Sequence, residues 1–167
     1  IAESLARVRL HPGMWAFSTG GSGLRHLALE VIGNAIDQHL LGRATTVSVD
    51  LDDGWLTVTD DGAGIRIDRD ANGTPLLETI FTTQHDTPTA DGERAHVHAT
   101  PSGLGVGLGP SCAVSARVEV ETSRDGDRWS AAFERGVLVE QLQLIDSVER
   151  RGTKVRLLPD PQIFEKE

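Results

Sequence analysis

The sequence lacks several features that would assign it to particular classes of protein. It contains one cysteine, Cys112, among 167 residues, which excludes an internal disulfide and fits a cytoplasmic protein. No apolar run approaches the roughly 20 residues that span a membrane, so we expect no membrane partner. There is no signal peptide and the first residue is not methionine, so we expect a processed chain or a fragment of a longer one.

Basic residues are also scarce. Lysines and arginines number 16 against 25 aspartates and glutamates, which gives a net charge of −9. Binding to DNA phosphates needs clustered lysines and arginines, so this chain is not predicted to hold DNA directly. Its only lysines are Lys154 and Lys166. Any bound anion must therefore be held by backbone N–H groups, by arginines or through a metal ion.

A helix is predicted over residues 24–42. At 100° per residue, Glu30, Asn34 and Asp37 fall within about 60° of one another on the helical wheel. Apolar residues cover most of the remaining circumference, so the helix is expected to be largely buried, with one narrow polar stripe. Two interpretations remain open: the stripe faces water on a half-exposed helix, or it faces a binding site.

The segments beside this helix carry turn and cap residues. Residues 7–15 form a short polar lead with a turn at Pro12-Gly13. Ser22 or Gly23 is expected to cap the start of the helix, and Gly42 to end it.

The rest of the chain is predicted to be mainly strands. Asp-Gly pairs at 53–54 and 125–126 predict hairpin turns between alternating runs. The predicted strands are 46–51, 55–59, 118–123, 128–133, 138–145 and 152–158. Short helices are predicted over 76–81 and from about Pro110. We expect an α+β two-layer sandwich, with a mostly antiparallel sheet and two or three helices on one face, in a single domain over residues 1–167.

The second predicted strand runs into Asp60, Gly62 and Gly64. A carboxylate at a strand end, followed by two glycines, allows the backbone to approach a flat ligand while the aspartate accepts a hydrogen bond from it. A plain Asp-Gly turn is the alternative interpretation.

Two further segments are loops. Residues 83–100 are polar and without periodicity, and we expect their histidines, His85, His96 and His98, to be solvated rather than bound to metal. Residues 102–109 are rich in glycine and precede a helix, so their N–H groups can form an anion site without a lysine. The lysine-bearing P-loop motif is absent.

These motifs, in this order, resemble a known family. The helix with Glu30, Asn34 and Asp37, the turn after Asp60, the glycine-rich loop and Gly152-Thr153 resemble the ATP-binding (Bergerat) fold of the GHKL superfamily. Within it, the chain most resembles the ATPase domains of the B-type proteins of type IIA DNA topoisomerases, those of gyrase and topoisomerase IV. The resemblance covers nearly the whole chain.

The resemblance implies an ATPase that uses ATP and Mg²⁺ and couples hydrolysis to DNA strand passage. Glu30 matches the general base that activates water, and Asn34 matches the residue that holds Mg²⁺ against the phosphates. Asp60 matches the acceptor for the adenine amino group, with Thr153 acting through water. Asp37 matches a carboxylate beside the metal. The other implied nucleotide-binding residues are Gly62, Gly64, Ile65, Gly103, Leu104, Gly105, Val106 and Gly107.

The last five of these would belong to a lid that wraps the phosphates, within a mobile segment at about 83–109. The lid is one residue shorter than is usual in the family. The family also usually carries Asp at Gly33, an acid at Gln38 and Arg at Ala63, so a looser pocket mouth is expected.

Other parts of such an enzyme are expected to lie outside this chain. They are a transducer domain with a lysine for the γ-phosphate, the arms that join a homodimer, and the contacts with DNA and with the A-type topoisomerase partner. The alternatives are a stand-alone GHKL regulator or kinase-like protein, and a nucleotide-binding module that has lost hydrolysis.

Overall fold

Six strands form one antiparallel sheet in this computed structural model, which describes residues 3–16, 18–84 and 107–164. The strand order is β1-β2-β6-β3-β4-β5. The strands are β1 (Val47–Asp52), β2 (Trp55–Asp60), β3 (Ser115–Arg124), β4 (Asp127–Glu134), β5 (Val137–Ser147) and β6 (Gly152–Pro159). The helices are α1 (Glu3–Leu10), α2 (Gly13–Ala16), α3 (Gly21–Leu40), α4 (Leu76–Thr82) and α5 (Leu108–Ala113).

Two-residue turns join the sequential strand pairs. Both central residues have positive φ at Asp53-Gly54, at Asp125-Gly126 and at Arg135-Gly136. These angles suit the right-handed twist of the flanking strands, and glycine adopts them without strain. The two predicted Asp-Gly hairpins are therefore confirmed, and the third turn places β5 beside β4.

The helices cover one face of the sheet, as predicted. Along β2, Leu56, Val58 and Asp60 are buried and alternate with partly exposed residues. The buried positions pack with helix residues such as Val31 and Phe81 in one core. The opposite face carries ion pairs between neighbouring strands, such as Arg156 with Glu119, so the two-layer α+β architecture is confirmed.

The amino-terminal lead was predicted wrongly. It contains two short helices, α1 and α2, with a turn between them at His11 and Pro12. Leu5 and Val8 of α1 are fully buried. A helix this short is not stable alone, so its formation depends on contacts with distant residues that the local pattern does not reveal.

The expectation that α3 is a largely buried rod was also wrong. Leu29, Ile36 and Leu40 are 48%, 37% and 56% exposed. The N-cap is Gly20, with no side-chain cap hydrogen bond, rather than Ser22 or Gly23. Gly42, with φ +69, follows the helix end as expected. In the part of the chain that the structure describes, no helix is both long and apolar enough to cross a membrane.

Candidate functional site

The polar stripe of α3 points inward over much of its length. Asn34 and Asp37 are 7% and 1% exposed, and Glu30 is half-buried. Burying such groups is costly unless they have partners, so the interpretation that they simply face water is wrong for Asn34 and Asp37.

Glu30 contacts the start of α5. Its Oε2 accepts a hydrogen bond from Gly107 N at 3.2 Å. Gly107 has φ +81, which favours glycine, and it is the N-cap of α5. The helix α3 and the end of the glycine-rich loop therefore meet at this carboxylate.

Behind Glu30 lies a cavity of about 10 Å³, enough for about one water molecule. It is lined by Trp15, Ala16, His26, Leu27, Glu30, Pro110, Ser111 and Val114. His26 was not predicted as a site residue, although its spacing of four residues from Glu30 puts both on one helix face.

Asp60 ends β2 and is 5% exposed. Its Oδ1 accepts a hydrogen bond from Gly62 N at 2.8 Å. In the sheet, Asp60 pairs with Thr153 of the neighbouring strand β6. Burial raises the pKa of the Asp60 carboxyl from 3.8 to about 6, while backbone hydrogen bonds from Gly62 and Thr153 partly oppose that rise. This carboxylate is built into the site at a cost to stability, which is a common property of functional groups.

The glycines after Asp60 are required by close packing. A Cβ on Gly64, where φ is +76, would lie 2.5 Å from Ser123 O. The loop is held on β3 because Ile65 N donates to Thr122 Oγ1 at 2.7 Å. A Cβ on Gly152 would lie 2.0 Å from Asp60 O. These contacts make the Asp60 turn a fixed wall of the site.

Arg124 is a second residue near the candidate site that was not predicted. Its Nη1 donates to Gly64 O at 3.3 Å, so a guanidinium lies beside the Asp60 turn. Its position just before the Asp125-Gly126 turn was the available signal. The sequence alone does not reveal that the end of β3 packs against this loop.

The structure brings the α3 residues and the Asp60 turn to the same side of the sheet. Gln38 of α3 packs against Gly62, beside the Asp60 carboxylate. Four predicted lid residues, Gly103, Leu104, Gly105 and Val106, lie outside the described residues. So do the three histidines predicted to be solvated and most of the predicted mobile segment.

The described residues contain no group of three or more His, Cys, Asp or Glu side chains that could hold a metal ion by themselves. Asn34 is a buried oxygen donor that faces inward from α3. Mg²⁺ in nucleotide sites is commonly held by one or two protein oxygens together with phosphates and waters. The donors present therefore fit a magnesium ion that arrives with a nucleotide.

Comparison with known proteins identifies the class. The family model described as "Histidine kinase-, DNA gyrase B-, and HSP90-like ATPase" matches residues 20–163. The chain belongs to this ATPase family.

Within the family, the chain is similar to DNA gyrase B proteins. It is 41% identical to that of Mycobacterium tuberculosis, over 99% of this chain and 24% of the relative. It is 38% identical to the gyrase B protein of Enterococcus faecalis, over 98% of this chain and 26% of that relative. A crystal structure of the 43K ATPase domain of Thermus thermophilus gyrase B in complex with an aminocoumarin matches with a TM-score of 0.84 and 36% identity, over 99% of this chain and 41% of that one. The chain thus spans about a quarter of the length of these gyrase B proteins.

Proposed function

We propose that this chain is the ATP-binding and ATP-hydrolysing domain of a type IIA DNA topoisomerase of the gyrase B kind. The observation that carries the proposal is the buried Asp60 carboxylate, at a turn that packs against Gln38 of α3, the helix that also carries Glu30 and Asn34. The similarity to gyrase B proteins supports this function over a stand-alone regulator.

The adenine would bind at the Asp60 turn. The Asp60 carboxylate accepts from the adenine amino group, and Thr153, buried on the neighbouring strand, acts through a water molecule. Gly62, Gly64 and Ile65 form the wall beside the base, because side chains at the two glycines would clash with their surroundings. This arrangement would recognise a flat base with an exocyclic amino group.

The phosphates would lie between α3 and the start of α5. Asn34 would hold Mg²⁺ together with the phosphate oxygens, and Asp37 lies beside it on the same stripe. When bound, Mg²⁺ neutralises phosphate charge during hydrolysis. The backbone N–H groups of the lid, Gly103 to Gly107, would contact the phosphates, because no lysine is available there.

Glu30 would act as the general base. Its carboxylate would remove a proton from the attacking water. His26, which lines the same cavity, would orient the Glu30 carboxylate. We expect this chain alone to hydrolyse ATP slowly, because about three quarters of the relative's sequence lies outside the matched part.

The whole enzyme would use other regions for its remaining contacts. We propose that dimerisation and the contacts with DNA and with the A-type topoisomerase partner are made there, since this domain is acidic. We also propose that residues 1–167 form one ATP-binding domain and that a transducer domain lies in the regions outside this chain. We propose a cytoplasmic location for the protein.

The variant Glu30→Gln tests the catalytic role. It keeps the shape and a hydrogen-bond acceptor but removes the base, so Mg²⁺-dependent phosphate release should fall by about 100-fold or more. ATP affinity, measured by calorimetry, should change little.

The matched control is Glu3→Gln, which alters an exposed glutamate that forms an ion pair with Arg7. It should leave both quantities unchanged. Unchanged phosphate release in Glu30→Gln would refute the assignment of the base, and no ATP binding by the wild-type chain would refute the function itself.

A further inference from the structure

Gln38 stands directly against the Asp60 turn. An added Cβ on Gly62 would lie 2.7 Å from Asp60 Oδ1, and 3.0 Å and 3.1 Å from Gln38 Cβ and Cγ. The Gln38 and Asp60 side chains therefore approach the same point from two sides, and only the missing side chain of Gly62 leaves room for both.

The backbone fixes the position of Gln38. It lies near the end of α3, where its carbonyl oxygen accepts hydrogen bonds from Arg43 N at 2.9 Å and Ala44 N at 3.1 Å. The side chain is thus presented from a well-anchored helix end rather than from a free loop.

The side-chain oxygen of Gln38 is buried and, among the described residues, has no hydrogen-bond partner. Ala63, the next residue after Gly62, contributes only a methyl group, so its side chain supplies no donor. A buried acceptor without a donor costs free energy, and such atoms are rare in native proteins. An orphan acceptor on a side chain that packs beside the Asp60 turn is accounted for if a ligand brings the donor.

We propose that Gln38 Oε1 accepts the second N–H of the adenine amino group, whose first N–H is bonded to Asp60, so that Gln38 is a specificity-determining residue for the base. This inference rests on the proposed function. One acceptor from each of these two neighbouring side chains matches the two hydrogens of an exocyclic amino group. Guanine has a carbonyl oxygen at that position. This oxygen is a third hydrogen-bond acceptor facing the two acceptors of the protein, so guanine is rejected.

The test compares ATP with purine riboside triphosphate, which lacks the amino group but keeps the ring and phosphates. Dissociation constants are measured by calorimetry with Mg²⁺ for the wild type and for Gln38→Met, which has similar length and no acceptor. The preference for ATP over purine riboside triphosphate should fall by about threefold to tenfold in Gln38→Met. The affinity for purine riboside triphosphate should not change.

The control variant is Gln143→Met on the exposed outer strand β5. It makes the same substitution away from the site, and it should leave the preference for ATP unchanged.

A stability measurement separates ligand recognition from a structural role. Because Gln38 Oε1 has no partner, ligand-free Gln38→Met should unfold at the same temperature as the wild type or higher, while the rise in unfolding temperature on adding ATP should be smaller. A residue that merely supports the fold would lower the unfolding temperature of the ligand-free protein when replaced.

The outcomes are distinct. Equal weakening of both nucleotides in Gln38→Met, or an unchanged ratio between them, overturns the role of Gln38 and leaves the proposed function intact. Failure of the wild-type chain to bind ATP at all overturns the proposed function and this inference with it.

Discussion

Adjacent aspartates in the Asp60 turn have opposite electrostatic environments. Burial raises the pKa of Asp60 to about 6, whereas hydrogen bonds from Thr45 and Thr46 lower the pKa of Asp61 to about 2. Asp61 is exposed and fixes the turn to the start of β1. One carboxylate therefore lowers the stability of the fold at neutral pH, and it is the one proposed to bind the ligand, while its neighbour stabilises the fold.

The variant Asp60→Asn should stabilise the ligand-free protein at pH 7 and abolish ATP binding. The folded-state pKa of Asp60 lies above its unfolded value of 3.8, so stability falls as the pH rises from about 4 to about 6, and asparagine avoids this loss. The free energy of unfolding should rise by about 2 kcal/mol at pH 7. Urea unfolding at several pH values should show this gain disappearing towards pH 4.

Asp61→Asn is the matched control, with the opposite sign. The folded-state pKa of the Asp61 carboxyl is lowered, so the stability that this carboxylate provides is present above pH 3.8 and is lost as the pH falls through about 2. Asp61→Asn should therefore unfold more easily at pH 7. A destabilised Asp60→Asn would contradict the account of Asp60, and an unchanged or stabilised Asp61→Asn would contradict that of Asp61.

At the scale of single residues, the sequence predicted charge and spacing but not environment. Asp60 stood out because two glycines follow it at a strand end. Nothing in its own neighbourhood signalled Gln38 or Arg124, because each acts beside a turn more than 20 positions away in the chain.

Among the elements, α4 and α5 cross closely at a glycine. A Cβ on Gly109 of α5 would lie 1.8 Å from Thr83 O, at the end of α4. Gly107, the N-cap of α5, donates a hydrogen bond to Glu30. The distance between α4 and α5 therefore affects the position of this contact.

Gly109→Ala should push α5 away from α4 and lower the free energy of unfolding by about 2 kcal/mol, measured by urea unfolding. ATP affinity should fall as well, because the start of α5 moves away from Glu30. Gly13→Ala is the control, since nothing lies within 4 Å of its added Cβ. It should remain within about 0.5 kcal/mol of the wild type, and equal losses in both variants would argue against a packing effect.

The hairpins were predictable because their information is local. Asp-Gly pairs between alternating runs specify turn type and register together. The helix α1 was not predictable, because Leu5 and Val8 are buried by elements far along the chain. The exposure of Leu29 and Leu40 on α3 has the same cause, since apolar content alone does not say which neighbours are present to cover a helix.

In the whole molecule, Asp160 joins distant parts of the chain. This buried carboxylate follows β6 and accepts from Arg9 Nη2 of α1 and from Arg135 Nε of the β4–β5 turn, each at 2.8 Å. Burial alone would raise its pKa, but the hydrogen bonds from Arg135, Gln162 N and Arg9 together lower it. It is therefore charged at neutral pH and holds three segments together.

Asp160→Asn should lower the free energy of unfolding by about 3 kcal/mol at pH 7, because it removes the charge that both arginines share. The control Asp146→Asn breaks the exposed pair with Arg128 and should cost less than about 1 kcal/mol. Thermal and urea unfolding measure both. Similar losses in the two variants would show that the buried carboxylate has no special role.

The Arg9–Asp160 contact also determines where unfolding can begin. Its two residues are 151 positions apart in the chain, so α1 and the segment after β6 are tied at one buried point. Peripheral segments of a domain usually fray first. Here neither of these two segments can separate from the domain without breaking the same ion pair, so both segments should resist local unfolding.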